Sequence, residues 1–198
     1  MVSYLEIIFS NFMSRFVFSV KALLSERKVL KSFLSNPALT KNSVLEITPE
    51  FLNENGIQLL VLDFDGVLAP HNGAALLPEV MDWLKALEKS WTQPILIFSN
   101  KPSLAREQYF KAHFPKIGFL KDVARKPHPE GLLNLQKMSH VHAEAILMVD
   151  DRLLTGILAA VLAGCRGLLI RKPYQNFKAH PLKETFFHLL RCLDRLLV

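Results

Sequence analysis

With 198 residues, half of them apolar, the chain can bury one sizeable core and carry a helical extension, so a single domain is the default. Its net charge of +6 is carried at the ends: residues 1–36 hold five Lys/Arg against two acids, residues 166–198 seven against two, and the middle twelve against fourteen. A slightly acidic centre argues against a nucleic-acid groove, which needs a basic stripe around its site, while basic ends suit anionic lipid at a membrane surface.

The first predicted element is a helix over Tyr4–Leu34. On a helical projection Leu5, Ile8, Phe9, Phe12, Phe16, Val20 and Leu23 share one face, and Ser10, Asn11, Ser14, Lys21 and Ser25 the other, with Ile7 and Phe18 interrupting the polar side. Glu6, Asn11, Arg15 and Lys21 break the run too often for a membrane span, and the basic start and small-residue site of a cleaved signal are missing. Two readings stay open: an amphipathic helix lying in a membrane interface, or a helix packed on the domain or on a partner. Phe9, Phe12, Phe16 and Phe18, outside any sheet, call for a bilayer or a protein groove. We therefore divide the chain into an N-terminal helical segment, 1–36, and a domain, 37–198.

A stretch rich in Ser, Asn, Pro and Thr, Ser35–Ser43, reads as a linker. Thr48-Pro49-Glu50 opens a helix with a capping hydroxyl and proline in the first turn, and Gly56 ends it. Ile57–Leu62 is a short apolar run bounded by glycines, the pattern of a buried parallel strand. A helix from Pro78 to Ser90, a strand at Pro94–Ser99, a helix from Pro102 to His113 and a short strand at Ile117–Leu120 follow. Next come a helix from Pro129 to Met138, a strand at Ala145–Asp150 and a helix at Leu153–Ala163 stopped by Gly164. A strand at Gly167–Arg171 precedes a closing amphipathic helix from Pro181, with Leu182, Phe186, Leu189, Leu190, Leu193 and Leu197 expected inward. Cys165 and Cys192 are too few for a disulfide framework and read as reduced core residues of a cytoplasmic-facing protein. Alternating strands and helices predict an α/β fold, a Rossmann-like parallel sheet with helices on both faces.

A parallel sheet gathers its carboxyl-terminal strand ends on one edge, where ligands bind. That edge would hold Asp63 and Asp65, then Ser99-Asn100-Lys101, then Lys126 from the loop Lys126-Pro127-His128-Pro129, then Asp150-Asp151. Phosphoryl transfer needs this combination. A carboxylate attacks phosphorus only if something offsets anionic repulsion, the phosphoryl oxygens need fixed donors, and the leaving oxygen needs a proton from a second acid.

At these residues the chain resembles the haloacid dehalogenase (HAD) superfamily of aspartate-nucleophile phosphatases. The family's D-x-D-x-[VT]-L motif is matched by Asp63-Phe64-Asp65-Gly66-Val67-Leu68, its second motif by Ser99, its lysine motif by Lys126 and its acidic pair by Asp150-Asp151. The resemblance implies that Asp63 forms an aspartyl-phosphate, and that Asp65 serves as general acid and then as general base. It also implies that Ser99 and the Asn100 amide hold the phosphoryl group and that Lys126 pairs with it and with Asp63. Asp151 would ligate Mg²⁺ with Asp63 and the Asp65 carbonyl, and Asp150 would support the metal from the outer shell. A closer similarity links Val44–Ile57 and the motif order to subfamily IIIA, which includes the YqeG-like proteins and the mitochondrial-type phosphatidylglycerophosphate phosphatases.

Two positions depart from that subgroup: Gly66 stands where an asparagine is usual, and Gly156 where the acidic motif ends in Asp. Among the other polar residues, His71 reads as a surface loop histidine and His128 as solvent-facing or capping a helix. Arg125, Arg152 and Lys101 are candidate contacts for an anionic substrate, and Trp83 and Trp91 read as core.

Only a loop and one helix separate Val67 from the second strand, so no sizeable cap domain covers the site. An open site favours a phosphate that projects from something large. The reading is a Mg²⁺-dependent phosphomonoesterase acting on a phospholipid head group, peripheral at the inner membrane surface through residues 4–34 and with no nucleic-acid partner. Its alternatives are a soluble HAD phosphatase for a nucleotide or sugar phosphate, and a catalytically weak HAD-fold binding protein.

Overall fold

The computed structural model describes residues 4–198, and within the first helix the side chains of Met13 and of Phe16 onward. The side chains of Leu5, Ile8, Phe9 and Phe12, assigned to one helical face, and of Ser10, Asn11 and Ser14, assigned to the other, lie outside those described.

Six parallel strands form one sheet: β1 (Thr40–Lys41), β2 (Leu59–Leu62), β3 (Ile95–Ile97), β4 (Gly118–Phe119), β5 (Ile146–Asp150) and β6 (Arg166–Ile170), in the order β1-β6-β5-β2-β3-β4. The seven helices described are α1 (Tyr4–Ser35), α2 (Pro49–Glu54), α3 (Pro78–Ser90), α4 (Leu104–His113), α5 (Glu130–Ser139), α6 (Leu158–Leu162) and α7 (Pro181–Leu197). This is the α/β, Rossmann-like arrangement expected. From β2 the chain winds outward through β3 and β4, then returns to β5 on the other flank of β2. The winding direction therefore reverses at β2, and the crevice lies between the ends of β2 and β5.

Alternation along the strands sends side chains to two layers. Leu60, Leu62, Ile95, Ile97 and Val149 pack with Val80, Leu84 and Phe110 on one face; Leu59, Val61, Ile146 and Met148 pack with Leu132, Leu135, Ala159 and Ala160 on the other. Local signals place the helix starts. Thr48 Oγ1 accepts from the Phe51 amide with Pro49 in the first turn of α2, and Ser103 Oγ accepts from the Arg106 amide at the start of α4.

Three elements differ from the sequence expectation. β1 lies inside the stretch read as linker; Thr40 pairs with Leu169 and Lys41 with Ile170, but two residues are too short for any periodicity to show. The helix expected at Leu153 opens with one π-helical turn, Leu153–Ile157, before α6. There the Arg152 amide and Thr155 Oγ1 both donate to Asp150 Oδ1, holding the chain against that carboxylate. α7, the closing helix, is turned the other way round: Leu182, Phe186, Leu189, Leu193 and Leu197 face solvent, while Glu184, Arg191 and Asp194 are buried. Ion pairs hold that polar face down, as described below.

α1 is bound to the domain through its second half. Ala22, Leu23, Leu30 and Phe33 are buried with Leu153, Ile157, Leu158 and Leu169, whereas Phe16 and Val20, assigned to the same face as Leu23, are exposed. Among the described residues, no helix is long and apolar enough to cross a membrane.

Leu30 is fully buried. Leu30→Ala should therefore cost about 2–5 kcal/mol of unfolding free energy in urea, and a loss below about 0.5 kcal/mol, the range of surface substitutions, would show that α1 contributes nothing to the fold.

Candidate active site

β2 ends at Leu62, and the Asp63 amide still donates to the Val149 carbonyl, so the ladder carries Asp63 to the edge beside β5. The chain then turns tightly. The Leu68 and Ala69 amides donate to the Phe64 carbonyl, and Gly66 sits at φ +86°. A Cβ at Gly66 would lie 2.6 Å from Asp151 Oδ2, so both backbone conformation and space demand glycine where the similar subgroup has asparagine.

Lys126 is the hub. It is 3% exposed, and its Nζ lies 2.6 Å from Asp150 Oδ2 and 3.0 Å from Asp63 Oδ1. Burial opposes the charge, yet Asp150 and Asp63 outweigh it and hold the ammonium above the usual lysine range. The backbone of Lys126 is clamped by one side chain: its amide donates to Asn100 Oδ1 at 2.7 Å, and its carbonyl accepts from Asn100 Nδ2 at 2.9 Å. Asn100, expected to act through its amide, thus also positions the lysine. Ser99 is buried, and its Oγ accepts from the Lys101 amide.

The two carboxyls nearest the expected chemistry are both displaced from their ordinary range. Burial pushes the Asp63 pKa up to about 8, against the pull of Lys126 and with help from Asp150, Asp151 and Asp65. Burial pushes Asp151 up to about 6, against the pull of Arg191, whose Nε lies 2.5 Å from Asp151 Oδ2. One oxygen each from Asp63, Asp150 and Asp151 can be chosen within 4.8 Å of one another, all three residues being buried. An oxygen-only set carrying uncompensated negative charge fits a hard divalent cation. Asp150 uses Oδ2 for Lys126 and Oδ1 for the Arg152 amide and Thr155, so it braces this cluster rather than opening toward solvent. A Cβ at Gly156 would lie 2.1 Å from Asp150 Oδ2, so the Asp150 carboxylate fills the space a side chain at 156 would need.

The Asp65 carboxylate lines the same cleft but is held by a cation from α4 rather than by Lys126. Arg106 grips it with a two-pronged fork, Nη2 to Oδ1 at 2.6 Å and Nη1 to Oδ2 at 3.0 Å, while its Nε donates to the Gly73 carbonyl and its guanidinium lies 3.9 Å from the Phe64 ring centre. Of Asp65, only the backbone carbonyl remains for the metal role the resemblance gave it. Arg106 carried no functional signal in the sequence beyond the Ser103 cap, which places it in the first turn of α4, facing the edge.

α7 supplies the remaining wall. Arg191 meets Asp151, Asp194 accepts two bonds from Arg152, and Glu184 Oε2 lies 3.2 Å from His71 Nδ1. His71, read as a surface residue, is buried and stacked on Phe187 at 3.7 Å, and burial lowers its pKa despite Asp65 and Glu184. The resulting cleft is lined by Asp63, Asp65, Ser99, Lys126, Asp151 and Phe187, among others. Lys101 and Arg152 also line it, though Arg152 is committed to Asp194 and Lys101 rests over the Phe187 ring. Arg125 and His128 are exposed; His128 Nδ1 accepts from the Glu130 amide at the start of α5. Trp91 is buried, and Trp83 is half-buried with its Nε1 donating to the Ile47 carbonyl.

A family model described as mitochondrial PGP phosphatase matches residues 15–175. No curated protein matches the chain. Among solved structures, a conserved haloacid dehalogenase-like protein of unknown function from Agrobacterium tumefaciens is 19% identical, with a TM-score of 0.41 over 65% of this chain and 90% of its own. A HAD-superfamily hydrolase, subfamily IA, variant 1, from Geobacter sulfurreducens is 15% identical, with a TM-score of 0.41 over 69% and 97%. An uncharacterized protein from Listeria monocytogenes serotype 4b is 12% identical, with a TM-score of 0.45 over 64% and 86%.

The raised carboxyl pKa values carry a stability consequence. Asp63 and Asp151 bind their protons more tightly folded than unfolded, so their contribution is complete below about pH 4, the ordinary aspartate range. It is lost as pH rises through about 6 for Asp151 and about 8 for Asp63. With a chelator present, the melting temperature should fall between pH 5.5 and 8.5 (roughly the window of these shifts), and added Mg²⁺ should recover more stability at the alkaline end, where it competes with fewer protons. Asp63→Asn should flatten the fall. A chelated melting temperature that holds level or rises over this interval would contradict the charge balance described.

Proposed function

The chain belongs to the mitochondrial PGP phosphatase family, and on that premise we propose that this phosphatase removes the terminal phosphate of phosphatidylglycerophosphate at a membrane surface, through an aspartyl-phosphate on Asp63. The observation that supports this most is Asp63 itself: buried at the switch point of the sheet, with Lys126 Nζ 3.0 Å away and Asp151 in the same cluster.

The chain's own groups divide the work. An Asp63 oxygen attacks phosphorus as the bond to the substrate alkoxide breaks, and Asp65 gives that alkoxide a proton; Asp65 then takes a proton from water as the water oxygen attacks the aspartyl-phosphate, freeing Asp63 and phosphate. Arg106 orients Asp65 through the shorter bond to Oδ1, and its longer bond to Oδ2 gives way when that oxygen carries the proton. Ser99 and the Lys126 ammonium receive the phosphoryl oxygens, and Asn100 fixes the lysine for that purpose. Mg²⁺, held by Asp63, Asp151 and the Asp65 carbonyl, would neutralise the repulsion between attacking carboxylate and phosphate.

Two features support a substrate whose phosphate projects from a large body. The β2–β3 connection holds a loop and α3, and the β3–β4 connection holds α4, so neither encloses the site with a cap. On α1, Met13, Phe16, Val17, Val20 and Leu24 form an exposed apolar stripe, the face an interfacial helix would present to lipid. Residues 4–34 would then make peripheral contact with the membrane.

Phosphate release from phosphatidylglycerophosphate in mixed vesicles should require Mg²⁺ and should drop to background in Asp63→Asn, with Asp65→Asn slower by about 10²–10⁴. Turnover of soluble nucleotide or sugar phosphates with none of the lipid would refute the substrate, and full activity of Asp63→Asn would refute the mechanism.

A further inference from the structure

α7 has two faces with opposite assignments. On a helix of 3.6 residues per turn, Glu184, Arg191 and Asp194 lie on one side and are all buried, Glu184 hydrogen-bonded to His71, Arg191 in an ion pair with Asp151 and Asp194 in one with Arg152. The opposite side carries Leu182, Phe186, Leu189, Leu193 and Leu196, whose exposures run from 47% to 88%. An isolated surface leucine means little, but a continuous row along a helix of 17 residues marks an interaction surface. Burying ion pairs contributes little net stability compared with burying leucines. The helix nevertheless lies with its ion pairs inward, because these reach the acidic edge of the sheet, and the leucines are left for an apolar phase outside the molecule.

Charge identifies that phase. Over residues 166–198 the two acids, Glu184 and Asp194, are both buried, while Arg171, Lys172, Lys178 and Arg195 are exposed and Lys183 is half-buried. The exposed charges of this segment are thus all cationic, which complements an anionic lipid surface. A second copy of the same face would instead bring like charges together.

We infer that α7, in addition to the α1 stripe, docks the domain on an anionic membrane, with its leucine row in the lipid and its polar face setting the catalytic cleft at head-group height. This deepens the lipid-phosphatase reading and rests on it for the identity of the head group. A helix is about 10–12 Å across with its side chains, and an interfacial helix sinks about 5–10 Å, which leaves its inner face level with the phosphates. Phe187 on that inner face lines the cleft, and Arg191 beside it meets Asp151, so seating α7 in the interface brings Asp63 and Lys126 to the plane where a head-group phosphate projects.

The test is co-sedimentation of the full chain with phosphatidylcholine vesicles, alone or mixed with phosphatidylglycerol, which requires no turnover and so stands apart from the substrate assignment. Wild type should bind the mixed vesicles and not the neutral ones. Leu182→Ser/Leu189→Ser/Leu196→Ser, at exposed positions that leave the fold and hydrolysis of a soluble phosphomonoester intact, should bind at least about tenfold more weakly and raise KM for vesicle substrate with kcat little changed. Lys178→Glu/Arg195→Glu should likewise weaken binding to the mixed vesicles. Undiminished binding by the triple variant, loss only with Phe16→Ser/Leu24→Ser on α1, or a wild type that ignores vesicles but dimerises through the leucine row would each overturn the assignment.

Discussion

Four carboxylates crowd one edge of this sheet, and the structure depends on how their charge is balanced. Asp63, Asp150 and Asp151 are buried together, and Asp65 is two residues from the first. Three cations from different parts of the chain answer them: Lys126 from the loop before α5, Arg106 from α4 and Arg191 from α7. Each cation is itself buried, so none could be removed without leaving a charge uncompensated, a loss larger than the pair's net contribution. The balance is still short. Burial first, and the neighbouring carboxylates after it, raise the pKa of Asp63 and Asp151, the two side chains that would face a divalent ion.

That arrangement shows what the sequence could disclose. The four motif positions were legible because they follow apolar strands, and parallel strands oblige their ends to meet. The cations from helices were not: Arg106 looks like any polar residue on a surface helix, and its partner lies 41 positions away. Asn100 was singled out for its amide, yet its side chain does the visible work, because clamping the Lys126 backbone is a tertiary relation with no local signature. His71 was assigned to the surface for want of any sign that α7 would cover it.

Gly156 illustrates a different failure. Comparison with the similar subgroup makes the glycine look like a lost acid. In the structure the Asp150 carboxylate stands where a side chain at 156 would reach, and it pairs with Lys126 from there. The π-helical turn at Leu153–Ile157 belongs to the same solution, since widening that turn lets the backbone pass the Asp150 carboxylate while the Arg152 amide and Thr155 donate to it.

The reversal of α7 follows from the same balance of charge. Amphipathic periodicity states that a helix has an apolar side; it does not state where the apolar phase is. In most domains the interior is the only candidate. Here the interior next to α7 is an acidic edge whose Asp151 requires a cation and whose His71 and Arg152 require acids, and the polar side of α7 provides Arg191, Glu184 and Asp194 in the order to meet them. Orienting the leucines inward would strand those charges, so the site dictates the orientation of the helix and the helix exports its apolar row. The surface that results is a consequence of active-site electrostatics, and it places an exposed leucine row on the outer side of the helix that walls the cleft holding Asp63.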